Sequence, residues 1–143
     1  MTLPYPDAEF DAILSCGVLE HVHEPDASLE EISRVLRPGG TFYVYKLPNR
    51  WSYLEKIAKA LGMYWHGSLP NDRIYTTTSA AELMRAHDFE VRELRRNNML
   101  PLTLPGRIAA RLAGAIWAAN RLLARIPGVN LLATNVELVA RRR

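Results

Sequence analysis

The chain has 143 residues, 48% of them apolar, which suffices for one domain with a real core and excludes wholesale disorder. A single cysteine, Cys16, excludes an intramolecular disulfide, no Cys/His cluster has zinc-ligand spacing, and no run of about 18 apolar residues offers a membrane span. The net charge of +3 conceals an asymmetry: residues 1–89 hold 8 Lys/Arg against 12 Asp/Glu, whereas residues 90–143 hold 10 against 3. The basic end suits an anionic surface, although a solvated face is the simpler reading, and nothing points to specific nucleic-acid binding. The N-terminal MTLPYPD has neither a basic region nor an apolar stretch, so no signal peptide is expected and the expected location is cytoplasmic.

Residues 10–15, FDAILS, read as a short strand ending at Cys16-Gly17. Asp26 is placed to cap a helix on which Leu29, Ile32 and Leu36 share a face, and Pro38-Gly39-Gly40 should terminate it. Thr41–Tyr45, β-branched and aromatic, is the next strand, and strand–helix–strand with short connections makes a parallel βαβ unit. A helix follows over about 51–61, ending at Gly62, then an irregular stretch at 63–75. The spacing of Ser79 and Glu82 matches a capping box opening a helix through about His87, and residues 89–94 alternate as a half-exposed strand. After Pro101 and Pro105 a long helix spans about 106–126, closed by Pro127-Gly128, and 135–140 is the last strand.

These pieces resemble one family in the same order. LPYPDAEFDAILSCGVLEHVHEP followed by LEEISRVLRPGGTFYVYKLPN resembles the fourth strand, next helix and fifth strand of the class I S-adenosylmethionine-dependent methyltransferases that act on small molecules. RIYTTTSAAELMRAHDFEV resembles the following helix and sixth strand, with Asp88 where that family usually has glycine, and 135–140 would be an antiparallel seventh. The resemblance implies an α/β fold, a partial doubly wound, Rossmann-like sheet lacking its first three strands. Residues 1–143 would then form the C-terminal half of a domain, with a basic amphipathic helix at about 106–126. The glycine-rich cofactor loop and the ribose-binding acid belong to the half that is not matched, and Gly39-Gly40 precede a strand instead. The isolated chain is therefore expected to bind S-adenosylmethionine weakly or not at all, and strand 10–15 to offer an open apolar edge for self-association or a complementing chain.

By position in that family, Ser15, Cys16 and Gly17 would border the methionine part of the cofactor, although Cys16 could equally be a small buried hydrophobe. His21 of the Leu19-Glu20-His21-Val22 segment is the candidate for removing a proton from the acceptor, the competing role being to hold a loop by hydrogen bonding. Related quinone-precursor enzymes carry a Glu-x-x-Glu-His pattern that looks like a metal site; here its first position is Gly17, so no metal is expected. His23, His66 and His87 are scattered. Trp65, His66 and Tyr75 fall where relatives cover the acceptor pocket, and core or lid packing explains them as well. On the long helix Arg107, Arg111, Arg121 and Arg125 cluster on one side, which suits an anionic membrane, but packing of the apolar stripe on the sheet is the favoured expectation. The leading function is methyl transfer to a small-molecule acceptor; the alternatives are a non-catalytic partner subunit that keeps the fold and a peripheral membrane-binding domain.

Overall fold

The computed structural model describes residues 2–100 and 107–143, with side chains described from 111 onward in the second stretch. Strand β1 (Phe10–Cys16) leads through a loop to helix α1 (Pro25–Val35). Pro25 occupies the first turn, where its missing N–H costs nothing and its fixed φ suits the helix. The N-cap is Glu24, without a side-chain bond, so Asp26 lies inside the first turn and does not cap it; its charge there still favours the positive helix end.

Strand β2 (Leu36–Pro48) begins directly after α1. The helix thus stops before the Pro38-Gly39-Gly40 expected to close it, because proline at 38 drives Arg37 towards extended backbone. Those residues form the start of the strand. Glycine is needed there for a close approach: a Cβ on Gly40 would lie 2.8 Å from Leu36 Cγ and 2.9 Å from the Arg37 carbonyl oxygen. Helix α2 (Tyr53–Ala60) is capped by Ser52, whose Oγ accepts the Glu55 amide at 3.2 Å. Helix α3 (Thr77–Ala86) has its capping box at Thr76 and Ser79, one turn upstream of the expected Ser79 and Glu82. Strand β3 (Phe89–Asn97) runs three residues past the expected end. Helix α4 (Arg107–Leu123) is followed by a 3-10 turn over Val129–Leu132 and strand β4 (Asn135–Arg142). The expected breakers Pro101 and Pro105 and the helix start at Gly106 lie outside the described residues.

The sheet order is β1-β2-β4-β3, with β1 parallel to β2 and β4 antiparallel to both of its neighbours. The expected βαβ unit and antiparallel last strand are both present. Alternation sends Phe42 and Val44 of β2 and Val136, Leu138 and Ala140 of β4 into one core. Leu29 from α1, Ala80 and Met84 from α3, and Phe89 complete it, with the Phe42 and Phe89 rings 5.4 Å apart.

Helix α4 departs from expectation. Among its described side chains only Asn120 is buried, and Leu112, Trp117 and Leu122 are exposed. At about 100° per residue Trp117 points about 140° away from both Leu112 and Leu122, so the three cannot form one stripe to lay on the sheet. The helix is held by polar contacts instead: Asn120 Oδ1 accepts the amides of Met99 and Leu100, each at 2.6 Å. Asn49, buried after β2, donates to the carbonyls of Leu131 at 2.8 Å and Ala133 at 2.7 Å, fixing the 3-10 turn.

Candidate functional site

The two parallel strands deliver their C-terminal ends side by side, and the segment after β1 turns sharply there. Gly17, at φ +66°, makes the turn while its amide donates to the Tyr45 carbonyl at 3.1 Å. Residues 18–24 then fold under residues 61–76. The Arg73 amide donates to the Glu20 carbonyl at 2.8 Å, and Arg73 Nη2 donates to the His23 carbonyl at 3.2 Å. Two stretches about 50 residues apart in sequence therefore form one surface at the strand ends.

At its centre stands His21, with Nδ1 2.9 Å from Asp72 Oδ1. The other carboxylate oxygen of Asp72 accepts from the Gly67 amide at 3.1 Å, the Leu69 amide at 3.2 Å and the Tyr64 hydroxyl at 3.2 Å. Burial pushes the Asp72 carboxyl up, but the Leu69 amide, His21, the Gly67 amide and Tyr64 outweigh it and hold it below the usual aspartate value. An ionised carboxylate only accepts, so Asp72 selects the tautomer of His21 that carries its proton on Nδ1. In the neutral ring Nε2 then carries the lone pair.

His66 stacks beside His21 with ring centroids 5.8 Å apart. Its amide and its Nδ1 both bond the Glu55 carboxylate at 2.8 Å. That hydrogen bond raises His66 against the opposing effect of burial, while burial of Glu55 is outweighed by His66 and its carboxyl is lowered. Glu20 is 2% exposed, and its Oε2 has no hydrogen-bond partner among the described residues. Its Oε1 lies 4.0 Å from His21 Nε2, and one ligand atom from each of Glu20, His21 and His66 falls within 4.8 Å of the others.

Among the residues singled out from sequence, His21 and His66 are brought together, with Trp65 adjacent and half-buried under Lys59, whose Nζ is 4.5 Å from the indole. Ser15 lines a mainly apolar pocket of about 200 Å³ with Val18, Leu19 and Ile32. Cys16 is exposed, against the reading of a buried small hydrophobe. Tyr75 belongs to the core cluster; burial pushes its hydroxyl up to about 12. His23 and His87 lie outside this cluster and bond distant residues, Asn71 and Asp26. Sequence reasoning missed Asp72, Glu55 and Tyr64, which have no motif of their own and matter only once the 61–76 segment folds over the strand ends.

The family described as a methyltransferase domain matches residues 1–44. The chain is 40% identical over 53 residues to the ubiquinone/menaquinone biosynthesis C-methyltransferase UbiE of Chromobacterium violaceum, covering 37% of this chain and 22% of that protein. Among solved structures it superposes on the [4+2]-cyclase SpnF with a TM-score of 0.61 and 28% identity, covering 99% of this chain and 53% of that one. A Thermotoga maritima SAM-dependent methyltransferase, described as a possible histamine N-methyltransferase, gives a TM-score of 0.63 at 20% identity, covering 99% and 60%. The chain spans between 22% and 37% of the length of the curated relatives it matches.

Proposed function

Because residues 1–44 match a methyltransferase-domain family and the fold is that of SAM-dependent methyltransferases, we propose that the chain is part of a class I S-adenosylmethionine-dependent methyltransferase and takes part in methyl transfer to a small-molecule acceptor. S-Adenosylmethionine is the cofactor of that family, and when bound it supplies a methyl group already activated on a sulfonium. The protein's share is then to position the partners and to remove a proton from the acceptor. One fold carries more than one chemistry, as the cyclase relative illustrates, so the reading rests on the site and not on the sheet.

The observation that carries it is the His21–Asp72 pair at the ends of the parallel strands. Asp72 orients the imidazole, and Nε2 of His21 accepts the acceptor's proton. A carbon acceptor, the kind named in the C-methyltransferase relative, loses a proton as it is methylated and so calls for such a base. Trp65 and His66 would border the acceptor, while Tyr75, placed in the core, is not assigned to the pocket. Ser15, Cys16 and Gly17 would border the methionine arm. Gly17 leaves the strand end without a side chain, exposed Cys16 contributes backbone, and Ser15 opens onto the pocket of about 200 Å³. That volume is below the roughly 300–1,000 Å³ of sites that enclose a whole ligand, so it fits one arm of the cofactor. We assign no metal to the step, since the sulfonium needs no Lewis acid.

Two measurements test the reading. In a complete or complemented domain, His21→Ala should lower methyl-transfer turnover about 100-fold while leaving cofactor affinity nearly unchanged; an unchanged turnover would make His21 structural. Calorimetric titration of the isolated chain should show weak or no S-adenosylmethionine binding, and a low-micromolar dissociation constant would contradict this. A second reading, a non-catalytic partner subunit, draws on the open edge of β1. No helix among the described residues is long and apolar enough to cross a membrane. Our proposal for location is cytoplasmic, with peripheral contact to anionic membrane through the arginines of α4, of which the side chain of Arg107 lies outside the described residues.

A further inference from the structure

Away from the His21 site, the ends of β3 and α4 close around a second cavity of about 240 Å³. Arg95 and Arg96 of β3, Arg121 of α4 and Arg125 just after that helix line it, with Asn97 and Glu137 as the remaining polar residues. Four arginines and one carboxylate thus line the cavity, and that carboxylate is already engaged by Asn97 Nδ2 at 3.3 Å. Arg95 pairs with Glu93 outside the cavity. Arg121 lies over the Trp117 ring, its Cζ 4.7 Å from the centroid, and neither it nor Arg125 has a carboxylate partner among the described residues. Arg96 donates from Nη2 to Thr77 Oγ1 at 2.8 Å, while its buried Nε has no partner among the described residues.

The dipole at the C-terminal end of α4 attracts cations and accounts for Arg121 and Arg125. It does not account for Arg95 and Arg96, which reach the same space from the sheet. Like charges so gathered repel unless an anion sits among them, and a buried donor left without a partner is costly. The guanidinium fork matches the oxygen geometry of phosphate and can bind it in bidentate fashion. The cavity is too small for a whole nucleotide-sized ligand and suits a single oxyanion group.

We propose that this cavity is an oxyanion site that takes a phosphate group, carried either by a soluble phosphate compound or by the head group of an anionic lipid. It shares no residue with the His21 cluster and does not depend on the methyl-transfer reading. The test is calorimetric titration of the chain with inorganic phosphate and pyrophosphate at low salt, in parallel with co-sedimentation on phosphatidylcholine vesicles with and without phosphatidic acid. Saturable phosphate binding without sedimentation assigns the site to a soluble ligand; sedimentation that requires phosphatidic acid assigns it to a lipid. In either case Arg121→Gln with Arg125→Gln should weaken binding about tenfold or more. Arg95→Gln, a single change at an exposed position, should weaken it in the same direction, so the proposal stays testable if the double variant unfolds. Arg85→Gln on α3, which removes the same charge elsewhere, should leave binding unchanged. Absence of saturable binding to every probe overturns the proposal, and so does an equal loss in Arg85→Gln.

Discussion

His66 and Glu55 show how one contact sets the charge state of the surface over the strand ends. The Glu55 hydrogen bond raises His66 above 6.5 against burial, and His66 in turn lowers Glu55 below 4.5. A raised histidine contributes stability that is fully present below pH 6.5 and is lost as pH rises through its folded value; a lowered glutamate contributes above 4.5 and loses it as pH falls through its own. The pair therefore holds the 61–76 segment best between pH 4.5 and 6.5 and weakens beyond either folded value. An NMR titration should find His66 above 6.5, and Glu55→Gln should bring it down to that value or lower; a wild-type His66 titrating at or below 6.5 would contradict the contact. Asp88 is another residue whose environment explains a departure from pattern. Its φ of +65° is the left-handed conformation that glycine adopts without strain, and aspartate is among the side chains that tolerate it, which accounts for glycine being usual there.

Among the elements, α4 is the one whose helical period was readable while its attachment was not. Its inward side carries Ile116, Ala119, Asn120 and Leu123, a narrow set on which a single asparagine is the buried residue. Removing that side chain in Asn120→Ala leaves the Met99 and Leu100 amides without their acceptor, which should cost about 1–3 kcal/mol. Denaturant unfolding measures the loss, and hydrogen exchange should quicken at those two amides. Unchanged exchange there would mean that α4 is held by other contacts. The other boundaries show the same division. Helix α2 was readable to within two residues, because the glycine that ends it acts locally, although its Ser52 cap was not singled out. The ends of α1 and α3 shifted by about a turn because several residues nearby could serve, and packing chose between them.

For the whole molecule the decisive feature is that β1, among the described residues, pairs on one side only. Parallel strands are normally paired on both edges and covered on both faces, so this edge offers free backbone donors and acceptors to another chain. Phe10 and Ile13 pack against the core, whereas Leu14 is 61% exposed beside the edge. Covering Leu14 would contribute at about 25 cal/mol per Å² of apolar surface. The chain should therefore associate with rising concentration in light scattering, and Leu14→Lys should suppress this. Ile13→Lys is the poorer probe, since a lysine there also disturbs the core. A monomer at every concentration, or assembly indifferent to Leu14→Lys, would contradict the expectation.

The sequence by itself determined the element order and the parallel βαβ unit, because alternation, helical period and breakers act over a few residues, while the antiparallel last strand was implied by the family resemblance. It also marked His21, through the Leu19-Glu20-His21-Val22 segment and its place after a strand. The tertiary structure alone decided what His21 touches: Asp72 lies 51 positions away and His66 reaches it from a loop without a pattern. It likewise decided that Tyr75 serves the core, that α4 is hung on Asn120, and that arginines from β3 and α4 converge on one cavity. Local rules are written in neighbouring residues, but a charge network depends on which distant segments the core brings together.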